Sequence, residues 1–151
     1  MDDPIFRALL GVGVGFGVLM AIVGITAYVL FSFGLMTLAK NKGIENAWLA
    51  WIPIGNLYIL GKIVERVSIG SWEIPRLDIV LPIAGAVMWL GVIPVIGWLI
   101  SIALLVLAGF VLHKLFSKYR PEQAVLYTVL SIALGLVWIF VFIIRNDQEI
   151  A

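Results

Sequence analysis

Three stretches of the chain, 8–39, 79–112 and 123–144, contain no Asp, Glu, Lys or Arg. At ~1.5 Å rise per residue, a ~30 Å hydrocarbon core needs ~20 apolar residues to cross it; runs of about 32, 34 and 22 residues all exceed that. Backbone groups in lipid find no water, so such segments fold as helices whose hydrogen bonds are internal. The expected fold is all-α, a polytopic transmembrane helical bundle forming one integral membrane domain over 1–151. Composition agrees, because 63% hydrophobic residues against 13% charged lies outside the range of soluble domains.

Chain organisation follows from where the breaks and charges fall. The acidic start Met1-Asp2-Asp3-Pro4 and the length of the first apolar run are unlike a signal peptide, so that run is expected to be a retained span. Only about 22 of its residues are needed to cross, and the surplus implies tilt or a protruding end. The middle stretch is too long for one ordinary span, and Pro94 and Gly97 lie near its centre. Splitting it there puts the loop with Lys40, Lys42, Lys62, Arg66 and Arg76 on the same side as Lys114, Lys118 and Arg120, with only Arg7 and Arg145 opposite. A single kinked helix would divide those basic loops across the membrane, against the positive-inside bias. Four spans are therefore expected, at about 10–39, 75–93, 96–116 and 121–145, with both termini outside. Pro75 and Pro121 suit the first helical position of the second and fourth.

Between the first two spans, the run Asn46 to Lys62 holds Trp48-Leu49-Ala50-Trp51-Ile52-Pro53-Ile54-Gly55-Asn56. It is too short and too broken to cross. Pro53, Gly55 and Asn56 divide it into two arms, so 44–67 is read as a broken helix that lies in the interface or re-enters the membrane. Asn46, Pro53 and Asn56 are the residues of a re-entrant site here, Asn46 as a helix cap and Asn56 at the turn. The pattern W-L-small-x-I-P-aliphatic recurs at Trp89 to Val95, as broken helices recur in transporters with inverted repeats.

Gly11, Gly13, Gly15 and Gly17 form overlapping small-xxx-small frames, which let two helix backbones approach closely in lipid. They are helix-packing candidates, against a second helix or inside the monomer, or else a mere accumulation of small residues.

The segment Ala39 to Ile44, the Asn46 to Lys62 run, Lys118 to Tyr127 and Phe142 to Asn146 together resemble a group of small, uncharacterised multi-pass membrane proteins of bacteria. The resemblance covers most of the chain from Ala39 onward, not the glycine-rich start. It implies a bacterial plasma membrane and no cleaved signal, and it brings no activity or functional residues with it.

Candidate chemistry is sparse. The chain has no Cys and one His, which excludes disulfides, thiolate metal sites and cysteine nucleophiles. His113 has no companion ligands in the sequence and reads as an interfacial side chain. Asp78 reads as a helix-start charge or the partner of Arg76, and Thr128 and Ser131 as hydroxyls that bond back to their own helix or join neighbouring helices. No catalytic, cofactor-binding or metal residues are identified, no cofactor is implied, and the protein is not expected to be an enzyme. Its expected partners are membrane lipids and either a second copy or another membrane protein; nothing points to nucleic acid. The expected role is a non-enzymatic accessory, scaffold or self-assembling membrane component acting by helix packing. The alternative is a small channel or carrier for a weakly charged or apolar solute, built around the two W-L-x-x-I-P breaks.

Overall fold

A computed structural model describes residues 3–90 and 97–150. The chain forms α1 (Pro4–Asn41), a 3-10 turn (Ala47–Trp51), α2 (Pro53–Val64), a hairpin of β1 (Val67–Ile69) and β2 (Trp72–Ile74), α3 (Leu77–Leu90), α4 (Gly97–Tyr119), a 3-10 turn (Pro121–Gln123), α5 (Ala124–Leu134) and α6 (Val137–Ile143). It is helical, as expected. Pro4–Asn41 and Ser101–Tyr119 are long and apolar enough to cross a membrane, and Leu77–Val87 is a shorter apolar helix.

The charged ends of these elements meet at one end of the molecule, here called the polar end. Lys42 follows α1, Glu65 follows α2, and Lys118 closes α4; Glu65 Oε1 lies 2.7 Å from Lys42 Nζ and 3.6 Å from Lys118 Nζ. Leu77 N, at the start of α3, donates to Glu65 O at 3.3 Å. The 77–119 stretch thus leaves the polar end and returns to it, as the hairpin reading requires and a single kinked helix would not. The turn at Pro94, and with it the second W-L-x-x-I-P break, lies outside the described residues.

The segment 44–64 descends from the polar end and comes back. Tyr28 Oη donates to Trp51 O at 2.5 Å, and Trp51 Nε1 lies 3.4 Å from Met36 Sδ. Tyr28 is fourteen residues before Lys42 on one helix, so the descent is about 21 Å. Pro53 then opens α2, where its missing N–H is no loss, and α2 climbs until Lys42 Nζ reaches Ile63 O at 3.0 Å. The arms are tightly apposed: a Cβ on Gly55 would overlap Leu49 O. The broken segment is thus a helical hairpin folded against the last fourteen residues or so of α1.

The expected fourth span is not one continuous helix. Its 25 residues as one helix would set Arg120 and Asp147 about 37 Å apart or more, yet Arg120 Nε lies 2.6 Å from Asp147 Oδ2 and Ile150 N donates to Lys118 O at 2.7 Å. Gly135, at φ 67°, ends α5 in the left-handed conformation that glycine accepts without strain, and the chain doubles back. Down-going α5 packs on α4, with Tyr127 edge-on to Phe116 at 5.6 Å; up-going α6 stacks Phe140 on Tyr127 at 4.3 Å. Residues 121–145 are thus a second helical hairpin that dips about 16 Å. The C-terminal segment joins the polar end, not the end opposite it, and Arg145 moves there too, its carbonyl accepting from Asn41 Nδ2 at 3.0 Å. Of the ten Lys and Arg residues, only Arg7 remains far from that end.

Other local expectations also shift. Pro75 precedes α3 by two residues instead of opening it, and Pro121 heads a 3-10 turn ahead of α5. Pro82 sits inside α3. The 67–74 loop is a two-residue β-hairpin with Val67 opposite Ile74 and a turn at Gly70-Ser71.

The two hairpins explain where the core lies. Leu35 and Leu38 of α1, Ile59 and Ile63 of α2, Leu77 of α3, Leu115 and Phe116 of α4 and Val141 of α6 are fully buried, all in the half nearest the polar end. In the other half only long helices continue, and every residue of α1 from Pro4 to Thr26 is exposed.

Candidate functional site

The expected packing glycines lie in that exposed part of α1. A Cβ built on Gly11, Gly13, Gly15 or Gly17 meets nothing within 4 Å among the described residues. The described part of the monomer therefore gives them no packing partner, which leaves a second helix or a mere accumulation of small residues. The glycines that do bring helices together are others: a Cβ on Gly61 would run into the Leu77–Asp78 peptide, and one on Gly34 would sit 3.0 Å from Val141 Cγ1.

Asn46, Pro53 and Asn56 are brought together with the first hairpin in divided roles. Asn46 adopts φ 59° before the 3-10 turn and makes no side-chain cap, so its contribution is a left-handed backbone and not the expected hydrogen bond. Asn56 is buried on α2 one turn into the ascent, its N–H donating to Ile52 O at 2.7 Å. Asp78 pairs with Lys62 at 3.8 Å rather than with Arg76. Thr128 bonds back to Ala124 O at 2.7 Å as expected. Ser131 and Ser32 are buried hydroxyls without a hydrogen-bond partner. His113 edges a shallow apolar groove with Val106, Gly109 and Phe110.

The densest polar constellation was not foreseen. Three helices end at the polar end, where each leaves carbonyls unpaired and a partial negative charge. Lys42 and Lys118 answer both needs: each Nζ donates to Ile63 O at 3.0 Å. Sharing one acceptor holds the two ammonium groups within about 6 Å of each other, a repulsion that needs counter-charge nearby. Glu65 and Glu149 supply it. Glu149 lies 3.1 Å from each ammonium, and Glu65 2.7 Å from Lys42 and 3.6 Å from Lys118. Glu65 is aimed by a strained γ-turn, φ 71° and ψ −64°, closed by Arg66 N donating to Val64 O at 3.0 Å.

Electrostatics follow the geometry. The hydrogen bond from Lys42 holds the Glu65 carboxyl below its usual range. Burial would raise Glu149, but hydrogen bonds from Lys42 and Lys118 outweigh it and the net shift is downward. For Lys42 burial works to lower the pKa, and its bonds to Glu65 and Glu149 prevail, so the ammonium titrates above its ordinary value. Arg120 and Asp147 add a bidentate pair at 2.6 and 3.3 Å beside this box. A cleft of about 490 Å³ opens between them, lined by Asn41, Lys42, Tyr119 and residues 146–149.

Sequence reasoning missed these residues because they are scattered over four elements. The clue available was the acidic pair Asp147 and Glu149, placed after a segment flanked at its start by Lys118 and Arg120. No family model matches the chain, and no curated protein or solved structure matches it.

Proposed function

We propose that the chain is a non-enzymatic integral membrane protein of the bacterial plasma membrane that assembles through the free part of α1 with a second copy of itself. α1, α3 and α4 cross, the two hairpins re-enter from the polar end, and that end faces the cytoplasm, since nine of the ten basic residues gather there. The N-terminus is then outside and the C-terminal segment inside.

The observation that carries the assembly reading is that α1 runs unbroken from Pro4 to Asn41 while every residue from Pro4 to Thr26 is exposed. Its charge-free part, 8–39, is about 48 Å long. At the average ~20° tilt, a ~30 Å core takes up about 21 residues, and even ~40° takes up about 26. Between about 6 and 11 apolar residues therefore project past the hydrocarbon, and at average tilt these are 8–18, the residues that hold Gly11, Gly13, Gly15 and Gly17. Apolar surface outside lipid is stabilised by a protein neighbour, and open glycines admit one closely.

Crosslinking and detergent sizing of Gly13→Leu/Gly17→Leu test this. The double variant should insert normally and lose most of the dimer, while Val12→Leu/Val14→Leu keeps it. A dimer unaffected by the glycine substitutions would remove α1 as the interface.

A further inference from the structure

At the polar end a segment of the chain is held against the basic ends of α1 and α4 chiefly by its carboxylates. Residues 147–150 have no helix or strand of their own. They are held by Asp147 on Arg120, by Glu149 on Lys42 and Lys118, and by one backbone bond from Ile150 N to Lys118 O. Ile150 is mostly exposed and contributes little burial. Lys42 lines the cleft itself, while Lys118 and Arg120 pair with its lining residues Glu149 and Asp147; lift this segment away, and these three cations lose both carboxylates and keep Glu65 alone opposing them. The surplus of positive charge is then matched by a bound anion.

We infer that Lys42, Lys118 and Arg120 form a site for the phosphate of an anionic lipid headgroup, and that Asp147 and Glu149 keep it closed by standing where that phosphate would bind. Phosphate oxygens accept from ammonium and guanidinium groups at the same distances that these carboxylates now show, and Arg presents the fork that carboxylate and phosphate share. Depth argues for a lipid. Lys42 and Lys118 each follow a fully buried core leucine, Leu38 and Leu115, by about one helical turn, which in the proposed placement is the level where anionic headgroups of the cytoplasmic leaflet attract basic residues. The inference rests on the membrane placement proposed above, not on self-association.

The test uses the full chain in mild detergent, titrated with a short-chain phosphatidylglycerol, with phosphatidylcholine of the same chain length, and with inorganic phosphate, binding being read by native mass spectrometry. Asp147→Asn/Glu149→Gln should bind phosphatidylglycerol about tenfold more tightly than the wild type, the order expected for freeing one or two basic groups, with phosphatidylcholine unchanged. Adding Arg120→Gln should reverse most of the gain. Lys42 also closes α2, so Arg120 is the deciding position, and the lipid-free thermal midpoint of each variant shows that it is folded. Several results would overturn the inference: no gain, an equal gain for phosphatidylcholine, a gain indifferent to Arg120, or a wild type already as tight as the variant. A gain confined to inorganic phosphate would replace the lipid by the free ion. Alkaline extraction of the same variants separates the two levels: a protein washed from the membrane removes the placement, whereas one retained without a gain removes only the site.

Discussion

The return of the 121–145 segment is open to a direct distance measurement. The chain has no native Cys, so Glu122→Cys/Ile150→Cys introduces the only pair. Both positions are exposed and line one small cleft beside Arg120, and neither takes part in the Arg120–Asp147 pair. A segment that turns at Gly135 keeps the two thiols on one face within reach of a short bis-maleimide. A continuous helix over the same residues would separate them by about 37 Å or more and place them on opposite sides of the bilayer. In inverted or right-side-out vesicles, the expected outcome is rapid intramolecular crosslinking and identical accessibility of the two single-Cys proteins. Removing the flexibility at the turn supplies a graded control. Gly135→Val puts a β-branched residue at φ 67°, where strain of about 1–3 kcal/mol is expected, and should slow crosslinking or lower the thermal midpoint. Efficient labelling of position 150 from the side opposite position 122, with no crosslink, would refute the hairpin and restore a fourth crossing.

Gly61→Ala should destabilise the protein by about 1–3 kcal/mol, because the new methyl meets backbone of α3 that cannot yield as a side chain can; Gly24→Ala, outside the proposed interface and with no described neighbour within 4 Å, should be neutral or gain up to about 1 kcal/mol of helix propensity. Thermal midpoints in detergent distinguish the two. Glu65 and Glu149 have depressed pKa values when folded, so their stabilisation is present above the ordinary carboxylate range near pH 4.3 and is lost as pH falls through their lower folded values. Lys42 is raised, so its share persists below about pH 10.4 and fades only as pH rises past its folded value. A pH series of unfolding midpoints should therefore be flat near neutrality with an acid limb, and Glu65→Gln/Glu149→Gln should flatten that limb.

How much of this was legible depended on whether the signal was local. Long charge-free runs specify helices, and Pro53 followed by Gly55 marks a break that no straight span survives, so the first hairpin could be read from its own residues. Gly135 could not. A lone glycine in an apolar run is tolerated by a membrane helix, and 22 charge-free residues satisfy the length rule for crossing; what turns the segment is the pairing of Asp147 and Glu149 with Arg120, Lys118 and Lys42, a tertiary fact. The β-hairpin was available, since Gly-Ser between Val67-Ser68-Ile69 and Trp72-Glu73-Ile74 is a recognised two-residue turn. The glycine frames were visible, but their pattern is the same whether the partner lies inside or outside the chain.

Both hairpins solve the same physical problem. A chain that turns among apolar helices exposes carbonyls that a continuous helix would have paired, each costing several kcal/mol if buried and left bare. At the first tip Trp51 O accepts from Tyr28 Oη on α1, while Leu49 O and Ile52 O accept from Ile52 N and Asn56 N. At the second, Leu136 O takes Ile139 N and Phe140 N. α1 is thus at once the wall that satisfies the first turn and the surface that receives α6, through Gly34 on Val141 and Phe33 near Phe142. These contacts occupy its last fourteen residues or so and stop where the hairpins stop. Among the described residues, Pro4 to Thr26 of α1 stay exposed because the hairpins that cover the rest of the helix end there.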